Sequence, residues 1–357
     1  FLPALFMCWN FMIMKDKLKV IYTSREIQRL DKYLVELKIQ ELYSRSFIER
    51  LIEDDSILVN LTPVKKSYLL KEGDEIIINL PEPEPLNIVP QDIPLDVVYE
   101  DEHLAIINKK AGMIVHPGFG NPEGTLVNAI LHRYGENLSS GKELNRPGIV
   151  HRLDRGTSGL IMIAKNDLTQ AKLSDMFAAR EIKKTYLAVT SGVPDPEKGD
   201  IETYLARSNK NPRTICVANE GRYAFTHYET IKTWHYFALV QINPATGRMH
   251  QIRVHFAHIR YPILGDLLYN SRRYVHSLVP QNMKRKVTEL LINHLHRQAL
   301  HSWKLEFIHP ITAYPISVSA PLPEDLIYTV NWLDNYFSID TDTHDLNLIL
   351  NEEINNG

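Results

Sequence analysis

The chain has 357 residues, which exceeds one typical domain and favours a large domain with a smaller companion. Hydrophobic residues make up 44% of the chain and charged residues 23%, a composition that excludes a disordered or collagen-like protein. The two cysteines, Cys8 and Cys216, lie far apart without a CxxC or CxxH neighbour. This spacing argues against a disulfide framework and a thiolate zinc site, and it fits a reducing cytoplasm.

Charge is distributed unevenly along the chain. Residues 321–357 contain eight acids and neither lysine nor arginine, so removing these eight charges from the total of −3 leaves +5 for the rest. A basic body suits a polyanionic partner such as RNA, because lysine and arginine at phosphates supply much of the affinity. An ordinary mixed surface with an acidic end explains the charge equally well.

The first fourteen residues are almost wholly apolar. They are too few to span a bilayer, and they have neither a basic leader nor a small-residue cleavage site. We therefore predict no membrane segment, and we expect residues 1–24 to be a disordered or artefactual extension outside the fold.

Residues 25–80 form the first predicted unit. Apolar residues recur at helical spacing from Ile27 to Leu37, and a second helix is predicted over residues 44–52. Strands are predicted over residues 57–60 and 75–80. Four cations on the two helices are candidates for gripping an RNA backbone, although a solvated helical face is an equally ordinary explanation. They are Arg29, Lys32, Arg45 and Arg50.

Alternating prolines and glutamates mark a boundary at residues 81–93, which we interpret as a semi-rigid linker. The following residues 94–325 contain many strand-like segments and fewer helices, in an order that is not strictly βαβ. This order predicts a mixed α+β domain dominated by a large sheet. Residues 326–357 are predicted to be an acidic tail.

The most unusual polar segment is GIVHRLDRGTSG, residues 148–159, between two apolar strands. It places Asp154 beside His151, Arg152 and Arg155. An acid among cations suits a carboxylate that stays ionised, and a charged turn with local salt bridges is the plain structural alternative.

A second segment, TGRMHQIRVHFAH at residues 246–258, holds two arginines and three histidines. No acid or cysteine accompanies them and the histidines lack the HExxH spacing, so zinc is disfavoured. Arg248, His250 and Arg253 fit phosphate contacts better, and Arg253 is also available to pair with a buried acid.

Tyr186 lies in a strand that follows the basic residues 180–184. A tyrosine there can stack on a nucleobase or help move a proton, although half-buried packing is the commoner role of a strand tyrosine.

One competing chemistry is phosphoryl transfer through an aspartate. Asp154-Arg155-Gly156-Thr157 and the later Gly265-Asp266 have a superficial likeness to phospho-aspartate transferases of the haloacid dehalogenase type. Polar residues precede Asp154, however, and few acids are available to hold magnesium, which disfavours this alternative.

Together these segments resemble the RluA family of RNA pseudouridine synthases. The resemblance includes GIVHRLDRGTSG, KKTYLAV at 183–189, and TGRMHQIRVHFAHI followed by PILGD. It is closest to the RluD type, which modifies large-subunit ribosomal RNA, and residues 25–80 resemble the S4 RNA-binding domain of that type. The resemblance implies a mainly antiparallel α+β catalytic domain with a small S4-like domain before it.

The resemblance also implies roles for individual residues. Asp154 would attack the target uridine, Tyr186 would lie against the base, and Arg253 would pair with the aspartate. Arg152 would hold the flipped nucleotide, with the other cations of the two segments contacting RNA. Neither metal nor other cofactor is expected, since the reaction is an isomerisation; ribosomal RNA is the expected partner, in the cytoplasm and without an obligate protein partner. Asp55, Leu61 and Arg260 depart from the family pattern, because glycine is common at these positions.

Overall fold

A computed structural model describes residues 11–14, 17–37, 42, 45–79, 88–118, 120–139, 146–208, 211, 214–270 and 272–339. Contacts within the chain divide it into two compact units, residues 1–86 and 87–357. Among the described residues, no helix is long and apolar enough to cross a membrane.

The small unit combines two helices with short strands. Its elements are β1 Phe11–Met14, β2 Lys17–Ile21, β3 Gln28–Arg29, α1 Leu30–Glu36, α2 Arg45–Glu53, β4 Ile57–Val59, β5 Thr62–Pro63, β6 Leu69–Leu70 and β7 Glu75–Asn79. One sheet has the strand order β1-β2-β7-β4-β5, and β3 pairs with β6. The predicted first helix begins later than its apolar pattern suggested: Gln28 and Arg29 are extended and Ile27 is exposed.

The N-terminal segment is part of this fold, contrary to the prediction for residues 1–24. Strand β2 pairs antiparallel with both β1 and β7. Leu18 and Val20 alternate with exposed residues and are buried in the core of the small unit. Burial of one face stabilises a strand, so the chain from residue 17 onward belongs to the folded small unit. Residues 1–10 lie outside the described part of the chain.

Two positions of the small unit where the resemblance leads us to expect glycine carry larger residues. Asp55 and Leu61 adopt positive φ angles of 55° and 64° at the ends of the β4 region. This left-handed conformation normally favours glycine because a Cβ crowds the backbone. Arg260 in the large unit shares this feature, with a φ of 70°.

The large unit is built from strands with helices between them. The strands are β8 Val97–Glu100, β9 Leu104–Lys109, β10 Ser158–Ala164, β11 Lys183–Ser191, β12 Lys198–Arg207, β13 Ile215–Ala218, β14 Arg222–Trp234, β15 Phe237–Pro244, β16 Leu300–Ile308 and β17 Pro315–Ser319. The helices are α3 Leu126–Tyr134, α4 Asp167–Ala179, α5 Gln251–His258, α6 Arg272–Leu278, α7 Lys284–Asn293 and α8 Glu324–Phe337.

These strands form one ten-stranded sheet with the order β13-β12-β14-β15-β11-β16-β10-β9-β8, and β17 adds to β16. Strands β10 and β16 run parallel, whereas the other pairs within the described strands are antiparallel. A Cβ at Gly159 would collide with the backbone of Ser302, so only glycine fits where β10 approaches β16. The predicted α+β fold with a mainly antiparallel sheet is confirmed.

Helix α8 extends the large unit past the predicted boundary at 325. Leu326, Val330, Leu333 and Phe337 follow helical spacing and are buried in the main core. The helix also uses acids as structural partners, since Asp334 accepts a hydrogen bond from the Trp234 indole at 2.7 Å. The prediction of an acidic tail from 326 is therefore wrong up to residue 337. Residues 340–357 lie outside the described part.

The predicted linker is likewise shorter than expected on its C-terminal side. Asn128 donates from its side chain to the Val89 carbonyl at 2.8 Å, and the Gln91 side chain accepts from the Gly124 amide at 2.7 Å. Residues 88–93 therefore pack on the large unit, while residues 81–87 lie outside the described part.

Candidate active site

The turn that precedes strand β10 holds Asp154. The Thr157 amide donates to the Asp154 carbonyl at 3.0 Å, which closes a tight turn immediately before the strand enters the core. Leu153 is buried, whereas the Asp154 side chain keeps 18% of its surface exposed. The fold therefore anchors the turn while leaving its carboxylate accessible from a cleft.

Arg253 on α5 connects this turn to a second acid. Its Nε and Nη2 donate to the two carboxylate oxygens of Asp266 at 2.6 and 2.9 Å. Its Nη1 donates to Asp154 Oδ2 at 2.9 Å. Because both carboxylates bind one rigid, planar guanidinium, the position of the Asp154 carboxylate is set by a fork that Asp266 holds in place.

The charge state of this cluster follows from its pairing. Burial disfavours the charged form of Arg253, but Asp266 and Asp154 more than offset this and raise its pKa above the ordinary value. Arg253 is buried and Asp266 is almost completely so. An unpaired charge at this depth would cost several kcal/mol, so the three groups stabilise one another as a unit.

Helix α5 begins at a polar network that fixes its orientation. The Gln251 side chain donates to the Phe225 carbonyl and to Thr226, and accepts from the Thr246 hydroxyl and the Arg248 amide. These bonds replace an ordinary N-cap at the start of the helix. They tie α5 to strand β14 and so align Arg253 with Asp154.

Tyr186 on β11 lies in the same cleft as Asp154. Its side chain is buried, and this burial raises the pKa of its hydroxyl to about 12, although the Ser302 hydroxyl acts in the opposite direction. The hydroxyl is therefore neutral at pH 7. The cleft is lined by Arg152, Leu153, Asp154, Thr157, Tyr186, Pro244, Thr246, Gly247, Arg248, Met249, His250, Gln251, Ile252, Arg253 and Leu300.

His250 is the second titratable group beside Asp154. Its Nε2 lies 4.0 Å from Asp154 Oδ2, and its Nδ1 is 2.9 Å from the Tyr269 hydroxyl. Burial lowers the pKa of His250, and the Asp154 carboxylate opposes this only in part. The imidazole is therefore mainly neutral at pH 7, and it lines the cleft while bonded to Tyr269.

Three predicted cations point to the surface around the cleft. Arg152, Arg155 and Arg248 are exposed. The Nε of Arg155 donates to the Gly112 carbonyl and that of Arg248 to the Tyr223 carbonyl, at 3.2 and 3.0 Å. Carbonyl partners orient the guanidinium groups without neutralising them, so both remain available to an anion.

His151 has a different environment from these surface cations, since it is only partly exposed. Its Nε2 accepts a hydrogen bond from the Met162 amide at 2.9 Å, and its ring lies 4.7 Å from that of Phe177. Burial, together with nearby Lys184, lowers its pKa to about 3. A neutral imidazole whose Nε2 is bonded to strand β10 supports the fold and brings no positive charge to an RNA phosphate.

The geometry also disfavours both metal alternatives. His255 lies 2.9 Å from Thr203 and from Thr226 through its two ring nitrogens, which leaves neither free for zinc. Asp266, which a magnesium-dependent phosphotransferase would need, is occupied by Arg253 and by the Leu268 amide. Within the described residues, no group of three or more His, Cys, Asp or Glu could hold a metal ion.

The structure adds three buried partners that the sequence did not reveal as site residues. Asp266 pairs with Arg253, while Lys109 and Arg297 bond to backbone carbonyls of the Asp154 turn. Asp266 occurs in the PILGD segment that carries part of the family resemblance, and Arg297 opens the segment RQALH at residues 297–301. Their roles depend on long-range contacts that sequence spacing does not disclose.

The predicted cations of the small unit differ in their environment. Arg29 forms a bidentate pair with the buried Asp31, with two bonds of 3.0 Å, and is partly exposed. Lys32 is exposed on α1. The side chains of Arg45 and Arg50 lie outside the described residues.

These features define an α+β protein of two units, with an aspartate, an arginine and a tyrosine in one cleft of the large unit, and comparison with known proteins gives the family. A family model described as RNA pseudouridylate synthase matches residues 103–258, and an S4 domain model matches residues 28–76. An RNA pseudouridine synthase of Chlorobaculum parvum is 42% identical over 303 residues, which cover 84% of this chain and 91% of that protein. The chain belongs to the RNA pseudouridine synthase family, whose members isomerise uridine to pseudouridine, and carries an S4 domain.

Two further similarities agree with this assignment. A protein of Zymomonas mobilis named ribosomal large subunit pseudouridine synthase D is 37% identical over 302 residues, covering 84% of this chain and 91% of that protein. The solved structure of human RNA pseudouridylate synthase domain containing 1 aligns with a TM-score of 0.51 and 21% identity. It covers 76% of this chain and 98% of the human one, and supports the fold alone.

Proposed function

We propose that this enzyme isomerises uridines in large-subunit ribosomal RNA, in the cytoplasm, with Asp154 as the nucleophile. This substrate class is supported by several relatives at 37–38% identity that are named ribosomal large subunit pseudouridine synthase D. The main structural support is the bond between Arg253 and Asp154 in the cleft. This charge-assisted bond holds the carboxylate in place while its partial exposure leaves it accessible to a substrate, as a nucleophile requires.

In the proposed reaction Asp154 attacks the flipped-out uridine, and the N1–C1′ glycosidic bond breaks. The uracil rotates and is rejoined to the ribose through C5. The C5 proton is released to solvent and N1 takes up a proton, so the product has the composition of the substrate. The carboxylate is regenerated when its bond to the nucleotide breaks.

Tyr186 and Arg152 have separate roles in this proposal. The buried ring of Tyr186 offers an aromatic surface against which the uracil lies, and its neutral hydroxyl is able to donate or relay a proton. The exposed Arg152 at the cleft mouth occupies the space that the extruded nucleotide leaves in its helix. Extrusion costs about a few kcal/mol, which such contacts offset.

The remaining cations are proposed to bind the RNA backbone. Arg248 lines the cleft, Arg155 is exposed on the Asp154 turn, and Arg29 and Lys32 belong to the S4 domain. Phosphate contacts of this kind add affinity and orientation without reading sequence. His250, neutral at pH 7, contributes a wall of the cleft rather than a charge.

Release of tritium from uracil C5 in unmodified large-subunit ribosomal RNA tests this proposal. Wild-type enzyme should release tritium without added cofactor. Asp154→Asn retains size and polarity but cannot act as a carboxylate nucleophile, so we expect release to fall by roughly a thousandfold or more with RNA binding retained. Asp175→Asn, an exposed change on α4, is the matched control and should be as active as wild type.

Retained turnover in Asp154→Asn would remove Asp154 from the nucleophile role. Tight RNA binding by an inactive wild-type protein would instead favour a non-catalytic ribosome-assembly function. Mapping pseudouridines in cells with and without the gene would identify the modified positions.

A further inference from the structure

We propose that Asp325, on the C-terminal helix α8, is a positioning residue for the nucleophile, acting through Arg297. This inference rests on the proposed role of Asp154. It concerns a helix outside the family-model match, which ends at residue 258. The relevant contacts join the first turn of α8 to the backbone that immediately follows Asp154.

Arg297 reaches the catalytic turn directly. Its Nη1 donates to the carbonyl of Gly156, two residues after Asp154, at 3.0 Å. The same nitrogen is 3.2 and 3.1 Å from the carbonyls of Gln298 and Leu300 at the start of β16. Arg297 therefore holds the turn against the strand beside it.

Asp325 determines where that guanidinium lies. Arg297 Nε donates to Asp325 Oδ2 at 2.6 Å, and Nη2 donates to Oδ1 at 2.8 Å. Two nitrogens thus bind the carboxylate and the third binds the turn. Arg253 divides its nitrogens in the same manner, with Asp266 as the anchor and Asp154 as the target.

Other contacts restrain the same turn without replacing this one. The Gln298 side chain donates to the Thr157 hydroxyl at 3.1 Å, and Lys109 Nζ lies 3.4 Å from the Arg155 carbonyl. The Gly112 amide also donates to the Arg155 carbonyl, at 2.8 Å. Within the described residues, the Gly156 carbonyl accepts a side-chain hydrogen bond from Arg297. The guanidinium of Arg297 is in turn held by Asp325, an acid on helix α8.

Asp325 also supplies the negative charge that pairs with the buried Arg297. Lys109 and Arg297 are both buried near Asp154, and burial together with Arg297 lowers the pKa of Lys109 to about 7. Without Asp325, the buried Arg297 would lack its carboxylate and would move toward another acid or toward water. The Gly156 carbonyl would lose its partner, and the Asp154 carboxylate would lose part of its alignment with Arg253.

A small displacement of a nucleophile is costly, since a shift of about 1 Å can reduce a rate by about a hundredfold. We expect a partial loss here, because Arg253 and Gln298 remain. The effect should appear in the chemical step and leave RNA affinity nearly unchanged, since neither Asp325 nor Arg297 lines the cleft.

The test compares two aspartates of the same helix by tritium release, with kcat, KM and Tm measured for each variant. Asp325→Asn keeps the shape but loses the ion pair, and kcat should fall about tenfold while KM stays within about twofold. Asp334→Asn is the matched control: it breaks the ion pair with Lys232, 2.6 Å long, on the far end of α8. It should lower Tm as Asp325→Asn does and leave kcat unchanged.

Asp325→Glu restores the charge with one extra methylene, so its kcat should lie between those of Asp325→Asn and wild type. Should Asp325→Asn fail to fold, a reduced kcat with normal KM in Asp325→Glu supports the proposal, and a wild-type kcat there overturns it. Equal kcat losses in the Asp325 and Asp334 variants would also overturn it, since they would reflect stability alone. If wild type and Asp334→Asn are both inactive, the proposed function fails, and the positioning role falls with it.

Discussion

The turn of Asp154 and the surface of the S4 domain use positive charge in opposite ways. Around the turn, Arg253, Arg297 and Lys109 are buried, and each is committed to carboxylates or carbonyls. On the S4 domain, Lys32 is exposed. A buried cation orients the groups that it bonds, here the Asp154 carboxylate and its turn, whereas an exposed cation is available to a polyanion from solution.

This difference has a measurable consequence. Removing a buried partner leaves an uncompensated charge, which costs stability and disturbs geometry. Removing an exposed cation changes mainly the affinity for RNA and its dependence on salt. Variants of the two regions should therefore separate into those that change kcat and those that change KM.

Among the variants that test this difference between the two regions, Arg253→Met should have the largest effect. It leaves Asp154 and Asp266 close together without their shared cation, which favours protonation of one carboxylate. We expect kcat to fall by roughly a thousandfold and the free energy of unfolding by about 3–5 kcal/mol. Tritium release and urea denaturation measure the two quantities.

Arg253→Lys separates the effect of charge from that of geometry, because it retains the positive charge but loses the planar guanidinium that bonds both carboxylates. It should recover part of the stability and little of kcat, since an ammonium cannot hold both carboxylates in the same geometry. Full recovery of kcat by lysine would mean that charge alone, rather than orientation, is what Asp154 needs.

Lys32→Ala tests the opposite region. Loss of one exposed phosphate contact should raise KM a few-fold at about 0.1 M salt, reduce the slope of log KM against log salt by about one, and leave kcat unchanged. Lys19→Ala is the control within the same unit, because the Lys19 ammonium already pairs with Glu75 at 2.8 Å. A fall in kcat at unchanged KM would break the proposed division between the two regions.

The sequence predicted the parts of the site that occur in short motifs. Asp154 was recognisable as an acid in a polar turn between apolar strands, whereas the roles predicted for Tyr186 and Arg253 came from the resemblance of their segments to the family. The strand pattern of the large unit and the α+β class were also predictable from alternation and order. These are local properties, and the structure agrees with them.

Both ends of the fold were missed for a shared reason. Leu18 and Val20 alternate as a strand requires, but the apolar residues before them obscured the pattern. In α8, the acidic residues led to the prediction of a tail, although Leu326, Val330 and Leu333 follow helical spacing and form a buried face. In each case the composition of a segment outweighed its periodicity.

The anchoring residues were beyond local inference. Arg253 and Asp154 are separated by 99 positions, and Arg297 and Gly156 by 141. These groups meet because the sheet order places β10, β11 and β16 side by side and because α5 is tied to β14. The bond between His151 and the Met162 amide was beyond local inference for the same reason, because it depends on tertiary packing.

His151 supplies the smallest predicted effect and a test of the boundary between buried and exposed groups. Its pKa is about 3 in the fold and 6.5 ordinarily, so between these values the unfolded chain binds a proton that the folded chain does not. Stability therefore falls as the pH drops below 6.5, by at most about 2 kcal/mol at pH 5. His151→Gln keeps an acceptor for the Met162 amide and removes the titration.

We expect His151→Gln to lose less stability than wild type between pH 7 and pH 5, as measured by urea denaturation at each pH. His235→Gln, a change at an exposed histidine, should show the wild-type loss. At pH 7 the kcat and KM of His151→Gln should remain within about twofold of wild type, because a neutral imidazole bonded to the backbone contributes no charge to RNA binding. A several-fold rise in KM with an unchanged pH dependence of stability would return His151 to the RNA-contacting surface.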